Sequence, residues 1–454
     1  MLGGYRIEGR RASEIAESVE RAVGSGGLEP GQLLPPLREL ATELGVNPNT
    51  VAAAYRLLRD RGVIETAGRR GSRVRPRPAS TARDLIRVDV PDGVRNIAAG
   101  NPDATLLPPL GDALAAAARS NAERPGRYMY GQEPVDEDLA RRARAGFDEG
   151  GVPDGPVGVL SGSLDAIERV LTSHLRPGDA VAIEDPGWGA LLDLVPARGL
   201  GPQHNALDHQ GPRPEGRESP HAPGATARVL TCRAQNPTGA AVSAARARAL
   251  REVLAGHPGV LLIEDDHGHG MVDLPLHPVA PVTEHWAFVR SVAKAYGPDL
   301  RLAVLTGDAV TLDRVRGRQR LGPGWVSRLL QRAVVELWTS GAVDPAKVAR
   351  SYRERREGLL RALRERGVEA HGRSGFVVWV PVPDETGAVS RLLHAGWAVA
   401  PGARFRLASA PGVRLTVSSL ALDEIGPRAG SPTEPALRRA PPPPAPQATQ
   451  SRRA

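Results

Sequence analysis

The sequence predicts two folded units of different class: a winged helix-turn-helix head over residues 1–76 and an α/β domain over residues 96–425. In the larger unit we expect a mostly parallel sheet with helices on both faces. Three observations predict this arrangement. Three short amphipathic stretches followed by a hairpin pattern fill the N-terminal segment. Beyond them, strand-like apolar runs alternate with helix-like stretches, the pattern of parallel strands joined by helical crossovers. The length of 454 residues also exceeds what one hydrophobic core usually serves.

The head is read first. Ile15, Val19 and Val23 recur on one face of a helix over residues 11–23, which Gly24–Gly27 ends. Leu37, Leu40, Ala41 and Leu44 mark a second helical face, stopped by Gly45. Asn47 is a good N-cap, and Pro48 suits the first helical position of a third helix. That helix, over residues 49–61, would bury Val51, Ala54, Tyr55 and Leu58. Residues 63–66 and 72–75, joined by a Gly/Arg loop, read as a hairpin. A third helix laid in the major groove would present Asn47, Asn49, Thr50 and Arg56. Arg38 and the hairpin arginines Arg69, Arg70 and Arg73 would meet phosphate or the minor groove. A small helical module for protein interaction is the alternative. The helix face and hairpin tip, free of large apolar groups, favour double-stranded operator DNA.

Residues 77–95 lack a clear period and read as a linker. Strand-like runs follow at 158–160, 180–183, 229–232, 260–263, 287–290 and 301–305, with helices at 164–175, 244–255 and 325–338. Gly201 to Gly224, rich in Pro, His and Gly, reads as a mobile surface loop. Residues 426–454 are Pro/Ala/Arg-rich and are expected to be disordered. Ligands of such a sheet sit at the carboxyl ends of its strands, and there the polar motifs fall. Ser161-Gly162-Ser163 opens a helix and could cradle a phosphate on backbone N–H groups, or be an ordinary cap. Trp188 could stack on a planar ring or belong to the core. Asn236 lies in Asn-Pro-Thr-Gly, a ring contact or a plain turn. Glu264-Asp265-Asp266-His267 offers a carboxylate for a pyridine nitrogen, with a solvated turn or a metal site as alternatives.

The chain contains two lysines, Lys294 and Lys347, among 59 Lys and Arg residues in all. Arg cannot lose its proton to form an imine, whereas Lys can when burial depresses its pKa. Lys294 follows a hydrophobic strand and precedes a Gly/Pro turn. It reads as the Schiff-base lysine of a pyridoxal 5′-phosphate (PLP) site, with Ser291 and Arg301 holding the phosphate. A surface lysine in an arginine-biased chain is the alternative.

Composition adds bounds. A net charge of +8 permits a polyanionic partner without requiring one. Four per cent aromatic residues argue against a base-stacking single-strand binder. A single cysteine, Cys232, cannot form an intrachain disulfide, which fits a reducing cytoplasm. No apolar run approaches the roughly 18 residues that span a bilayer, so no membrane is expected.

The head residues Leu34–Ala41, Leu44-Gly-Val-Asn47, Thr50-Val51, Ala54-Tyr55 and Leu58 to Gly62 closely resemble the GntR-type reader head. The order of motifs after residue 96 resembles the fold-type I PLP aminotransferases. The fusion of the two resembles the MocR-type transcription regulators, whose small C-terminal α+β subdomain Ser351, Tyr352, Arg355, Arg356 and the strand from Phe376 also fit. The resemblance implies that Lys294 carries the cofactor, Asp265 pairs with the pyridine nitrogen, and Asn236 contacts the ring 3-oxygen. It further implies Trp188 as the stacking group and Ser161, Gly162, Ser163, Ser291 and Arg301 as the phosphate site. Tyr130 matches a tyrosine that family homodimers contribute across the interface, and Arg414 the arginine that grips a substrate α-carboxylate. Two positions depart from the pattern. His267 stands where the family has a tyrosine, with a different reach to the ring oxygen, and Ala303 stands where a glycine usually follows the phosphate arginine. The leading expectation is therefore a DNA-binding regulator that senses PLP, or an amino acid reacting with it. An active aminotransferase exchanging an amino group with a 2-oxo acid is the second reading, and a repressor with an inert dimerisation scaffold the third.

Overall fold

The structure is a computed structural model that describes residues 6–25, 27–29, 31–60, 63–66, 71–74, 83, 86, 88–123, 129–214 and 224–425. Arg69, Arg70, Gly62, residues 77–82, 84, 85 and 87 of the expected linker and the whole of residues 426–454 lie outside the described residues.

Helices α1 (Ala12–Ser25), α2 (Leu37–Leu44) and α3 (Pro48–Asp60) pack around Ile15, Val19, Leu40, Val51, Ala54 and Leu58, all buried. Gly45 ends α2 at φ 63°, a left-handed backbone that glycine adopts without a Cβ penalty. Asn47 caps α3 by accepting the Asn49 N–H at 2.9 Å. Leu37 departs from expectation: it is exposed, because the apolar face of α2 narrows to Leu40 and Ala41. Strands β1 (Ile64–Thr66) and β2 (Ser72–Val74) pair antiparallel as the wing. The run before α2 joins it, with Leu34 N–H donating to Ser72 and Val74 N–H to Gln32.

The large domain opens with β3 (Arg95–Asn96), α4 (Gly111–Glu123) and α5 (Glu137–Glu149). Then come β4 (Val157–Leu160), α6 (Ser163–His174), β5 (Ala180–Asp185), α7 (Gly189–Ala197), β6 (Gly201–Asp208) and β7 (Gly211–Pro212). The central run is β8 (Ala227–Thr231), α8 (Ala244–Ala255), β9 (Leu261–Asp266), β10 (Trp286–Ser291), α9 (Ala293–Tyr296), β11 (Ala303–Gly307) and α10 (Ala309–Arg320). The chain continues through α11 (Arg328–Thr339), α12 (Pro345–Glu365), β12 (Val377–Pro381), α13 (Glu385–His394), β13 (Trp397–Ala398), β14 (Ala400–Pro401) and β15 (Gly412–Thr416).

The main sheet runs β4-β11-β10-β9-β8-β5-β6-β7, with β6, β5, β8, β9 and β10 parallel and β11 reversed. Gly201 to Gly224 is thus not wholly a surface loop: its first eight residues are β6, paired with β5 from Ala180↔Gly201 to Asp185↔Ala206. Pro202 is tolerated there because β7 reaches only Leu207 and Asp208, leaving the start of β6 with one neighbour. Antiparallel β12, β15 and β14, with α12 and α13, form the small C-terminal α+β subdomain.

Strand alternation sorts side chains to two cores. Ile263, Ala287, Val289 and Leu305 face α6, α7 and α10, while Leu262, Phe288 and Val304 face the helices of the other side, among them α5, α8 and α11. Each face buries its own apolar set, which is why the central strands read as nearly continuous hydrophobic runs. Among the described residues, no helix is long and apolar enough to cross a membrane.

Candidate functional site

At the carboxyl ends of the parallel strands lies a cavity of about 330 Å³. Its wall includes Gly162, Ser163, Trp188, Asn236, Asp265, His267, Ser291, Lys294, Arg301 and Arg414. These residues come from the strand-to-helix connections after β4, β5, β8 and β10, from the end of β9, from the segment before β11 and from β15, so the main sheet and the small subdomain together build the wall. Ser161 is the exception among the expected phosphate residues. It is absent from this wall, its N–H donates to Asp165 Oδ2 at 2.9 Å, and its carbonyl accepts from Arg301.

Lys294 sits on the short helix α9, its Nζ 3.3 Å from the Gly100 carbonyl and 5.8 Å from the centre of the Phe376 ring. Asp265, at the end of β9, is buried. Its Oδ2 meets His267 Nδ1 at 2.8 Å, and its Oδ1 is buried without a partner. A carboxylate oxygen left unpaired inside a protein costs free energy unless a donor arrives. The second ring nitrogen of His267 lies 2.8 Å from the Ala234 carbonyl. Both nitrogens therefore face acceptors, and His267 is not free to reach a ring oxygen as the sequence suggested. Burial opposes the charged imidazole, but the Asp265 charge and its hydrogen bond outweigh burial and raise the pKa above 6.5. Asn236 is better placed as a donor: its Oδ1 accepts from Arg414 at 3.1 Å, leaving the amide nitrogen toward the cavity.

Opposite Lys294, the N-terminus of α6 begins at Gly162, whose φ of 97° excludes most side chains. A Cβ there would stand 3.4 Å from the Arg301 guanidinium, so glycine lets the two approach. Arg301 itself is held at φ 44°, a left-handed conformation rare for a residue with a side chain. The Ser163 hydroxyl is buried without a partner at the same end. Helix N–H groups, a hydroxyl donor and a guanidinium thus converge on one anion-sized space.

The supporting shell was not legible beforehand. Gln235 Nε2 donates to Glu184 Oε2 and the Pro186 carbonyl, while its Oε1 accepts from Thr238, fixing the loops of Trp188 and Asn236. Burial raises Glu184 to about 7 despite hydrogen bonds from Thr231 and Gln235. Arg414 donates to Asn236 and the Ala98 carbonyl and lies over the Phe405 ring at 4.8 Å. Gly100 and Phe376 also line the cavity, and nothing in their local sequence marked them. Tyr130 is 90 % exposed, rests edge-on against Trp325, and does not line the cavity of its own chain.

In the head, Arg38, Asn47, Asn49 and Arg56 are exposed and Thr50 is half-buried. Two of the expected contacts carry other duties. Asn47 caps α3, and Arg73 pairs with Glu65 across the wing at 2.5 Å. Among the described residues, no group of three or more His, Cys, Asp or Glu is placed to hold a metal ion.

Fold and site together define an aminotransferase-like domain of fold-type I behind a winged helix-turn-helix head. The family description "Aminotransferase class I and II" matches residues 94–426, and "Bacterial regulatory proteins, gntR family" matches residues 11–74. The chain is 38% identical over 429 residues to the vitamin B6 salvage pathway transcriptional repressor PtsJ of Salmonella typhimurium, covering 92% of this chain and 97% of that protein. It is 27% identical to the HTH-type pyridoxine biosynthesis transcriptional regulator PdxR of Corynebacterium glutamicum, over 76% of this chain and 77% of that one. The fold matches the α-aminoadipate aminotransferase LysN of Thermus thermophilus with a TM-score of 0.65 at 22% identity, over 79% of this chain and 94% of that chain. The chain belongs to the MocR-type regulators of the GntR family, in which a gntR head is fused to a class I/II aminotransferase domain.

Proposed function

We propose that the protein is an operator-binding transcription regulator whose aminotransferase-like domain binds PLP at Lys294 and responds to PLP or to an amino acid reacting with it. One observation carries this reading. The cavity joins the chain's one cavity-facing lysine, the orphaned Asp265 Oδ1 and the anion cradle at Gly162, Ser163 and Arg301, on a chain that also carries a reader head. When bound, PLP supplies an aldehyde for a primary amine and a ring that withdraws electrons. Lys294 Nζ is the amine. Asp265 Oδ1 would accept the proton of the pyridine nitrogen, and His267 fixes the carboxylate by holding Oδ2. Ser163, the first N–H groups of α6 and Arg301 would bind the phosphate. Trp188 would wall the ring, and Asn236 would donate to its oxygen. Arg414 is the cation for an effector α-carboxylate, and exposed Tyr130 is proposed to complete the site of a second protomer in a homodimer.

Turnover as an aminotransferase remains the second reading, supported by the same lysine, aspartate and arginine. Fluorescence anisotropy on the gene's own upstream DNA, with PLP titrated, tests the first. PLP should shift the affinity of wild type and not of Lys294→Ala. Identical binding with and without PLP, alone or with an amino acid, would sink the sensor reading. Many rounds of keto-acid production by the purified protein would promote the second.

A further inference from the structure

A second cavity, of about 260 Å³, lies across the sheet from the first and shares no wall residue with it. Arg290, His269, Tyr296, Trp338, Arg142 and Glu149 are in its wall. Its chemistry begins with Asp266, which is fully buried and opposes Arg290 in the parallel register of β9 and β10. Arg233 takes both carboxylate oxygens, at 3.0 and 2.8 Å, and also donates to the Leu274 carbonyl. Arg290 retains a 3.3 Å bond from Nε to Oδ2. One buried carboxylate therefore serves two buried guanidiniums.

The remaining positive charge is directed at the cavity. The Arg290 side chain is 5 % exposed, and among the described residues its terminal nitrogens donate to no protein acceptor. Its guanidinium lies 4.8 Å from the Phe147 ring and 5.8 Å from that of Phe288, which offsets part of the desolvation cost. The space around those nitrogens is built by glycine: a Cβ on Gly146 would stand 3.3 Å from Nη1, and one on Gly150 3.1 Å from Nη2. His269, also in the wall, has no hydrogen-bond partner among the described residues. Burial, then the Arg290 charge, holds its pKa down to about 3, so it stays a neutral donor. Arg142 adds positive charge at the mouth, and Glu149 is the opposing carboxylate there.

We infer that this cavity is a second ligand site, for a small oxyanion, a carboxylate or a phosphate, gripped by Arg290 with His269 as a further donor. A planar guanidinium presents two parallel N–H groups to such a group, and a charge-assisted pair in a low-dielectric site is among the stronger polar contacts. The site is wired to the cofactor cavity by adjacency alone. Asp266 follows Asp265, Arg290 precedes Ser291, and Tyr296 lies two residues after Lys294.

The test is equilibrium dialysis of the full-length protein, without added PLP, against radiolabelled inorganic phosphate at constant ionic strength. Wild type should bind two phosphates, one in each cavity. Arg301→Gln should keep one and Arg290→Gln should keep one, so failure of the cofactor reading and failure of this one are separable. Ala145→Glu, which adds a carboxylate on the α5 wall without removing a buried group, should also lose one, guarding against a misfolded Arg290 variant. Acetate that displaces the phosphate retained by Arg301→Gln marks the site as a carboxylate site, and resistance to acetate marks it as a phosphate site. The inference is overturned if Arg301→Gln abolishes all phosphate binding, or if Arg290→Gln and Ala145→Glu both bind as wild type does.

Discussion

Replacing His267 by Phe removes both imidazole contacts while keeping a ring in the space, and the structure sets the size of the loss. The contact to Asp265 at 2.8 Å is charge-assisted, and the one to the Ala234 carbonyl, also 2.8 Å, is an ordinary hydrogen bond. The first is worth about 1.5–3 kcal/mol and the second about 1, so the variant should lose about 2–4 kcal/mol at low pH. The pH dependence follows from the direction of the shift. The folded-state pKa of His267 is raised, so its contribution is fully present below the unfolded value of 6.5 and is lost as pH rises through the higher folded value. Above that point one ring nitrogen no longer carries a proton, and one of its two acceptors goes unserved. Urea unfolding of both proteins should show a gap that is widest below pH 6.5 and narrows as pH rises through the folded value. The imidazole itself should titrate above 6.5 by NMR. A gap that does not change with pH, or an imidazole titrating at or below 6.5, would refute the argument that Asp265 holds a cationic His267.

Three further outcomes are expected. Arg301→Gln should weaken PLP binding by about 10- to 100-fold in an absorbance titration, because it removes a charge-assisted contact worth about 1.5–3 kcal/mol. Asp136 is a buried carboxylate that caps α5 and stands 3.3 Å from Arg332, so Asp136→Ala should cost about 3–5 kcal/mol in denaturant unfolding. Arg83, in the segment between head and large domain, bonds to Asp193 on α7 and to the carbonyls of Ala403 and Arg406. Arg83→Ala should leave PLP affinity unchanged and reduce the effect of PLP on operator affinity in the anisotropy assay. An unchanged effect would remove this contact from the coupling.

The parts legible in the sequence were those in which local chemistry and tertiary role agree. Gly45, Asn47 and Pro48 punctuate the head as their backbone preferences dictate. That most of the expected site residues would meet at one place was legible because parallel strands deliver their ends to one edge, so the order of polar motifs already stated a place. What escaped was set by partners distant in sequence. Strand β6 looked like a loop from its Pro, His and Gly, and it is a strand because β5 offers a six-residue parallel partner. The long α12 went unread although Asp344 and Pro345 give it a clear start: the Asp344 carboxylate accepts the Ala346 and Lys347 N–H groups. His267 was assigned toward the ring from the position of a family tyrosine. Its actual partners, Asp265 and the Ala234 carbonyl, include one 33 residues away in the chain.

The family pattern singled out Asp265 over Asp266, and the sheet gives the physical reason. With a side-chain period of two, neighbours on β9 and β10 point to opposite faces. The register sets Asp265 against Val289 and Asp266 against Arg290. Asp265 and Ser291 accordingly share the face of Ile263 and Val289 and reach the cofactor cavity. Asp266 and Arg290 share the face of Leu262 and Phe288, and Arg290 lines the cavity behind it. A slip of one residue in this pairing would exchange the two sets, turning Arg290 toward the first cavity or Asp265 toward the second. The full burial of all six residues in each strand holds the register against that slip, since every apolar side chain would have to change cores with it. An anion held by Arg290 would thus act one residue from Ser291 on β10 and, through the Arg290–Asp266 pair, one residue from Asp265 on β9.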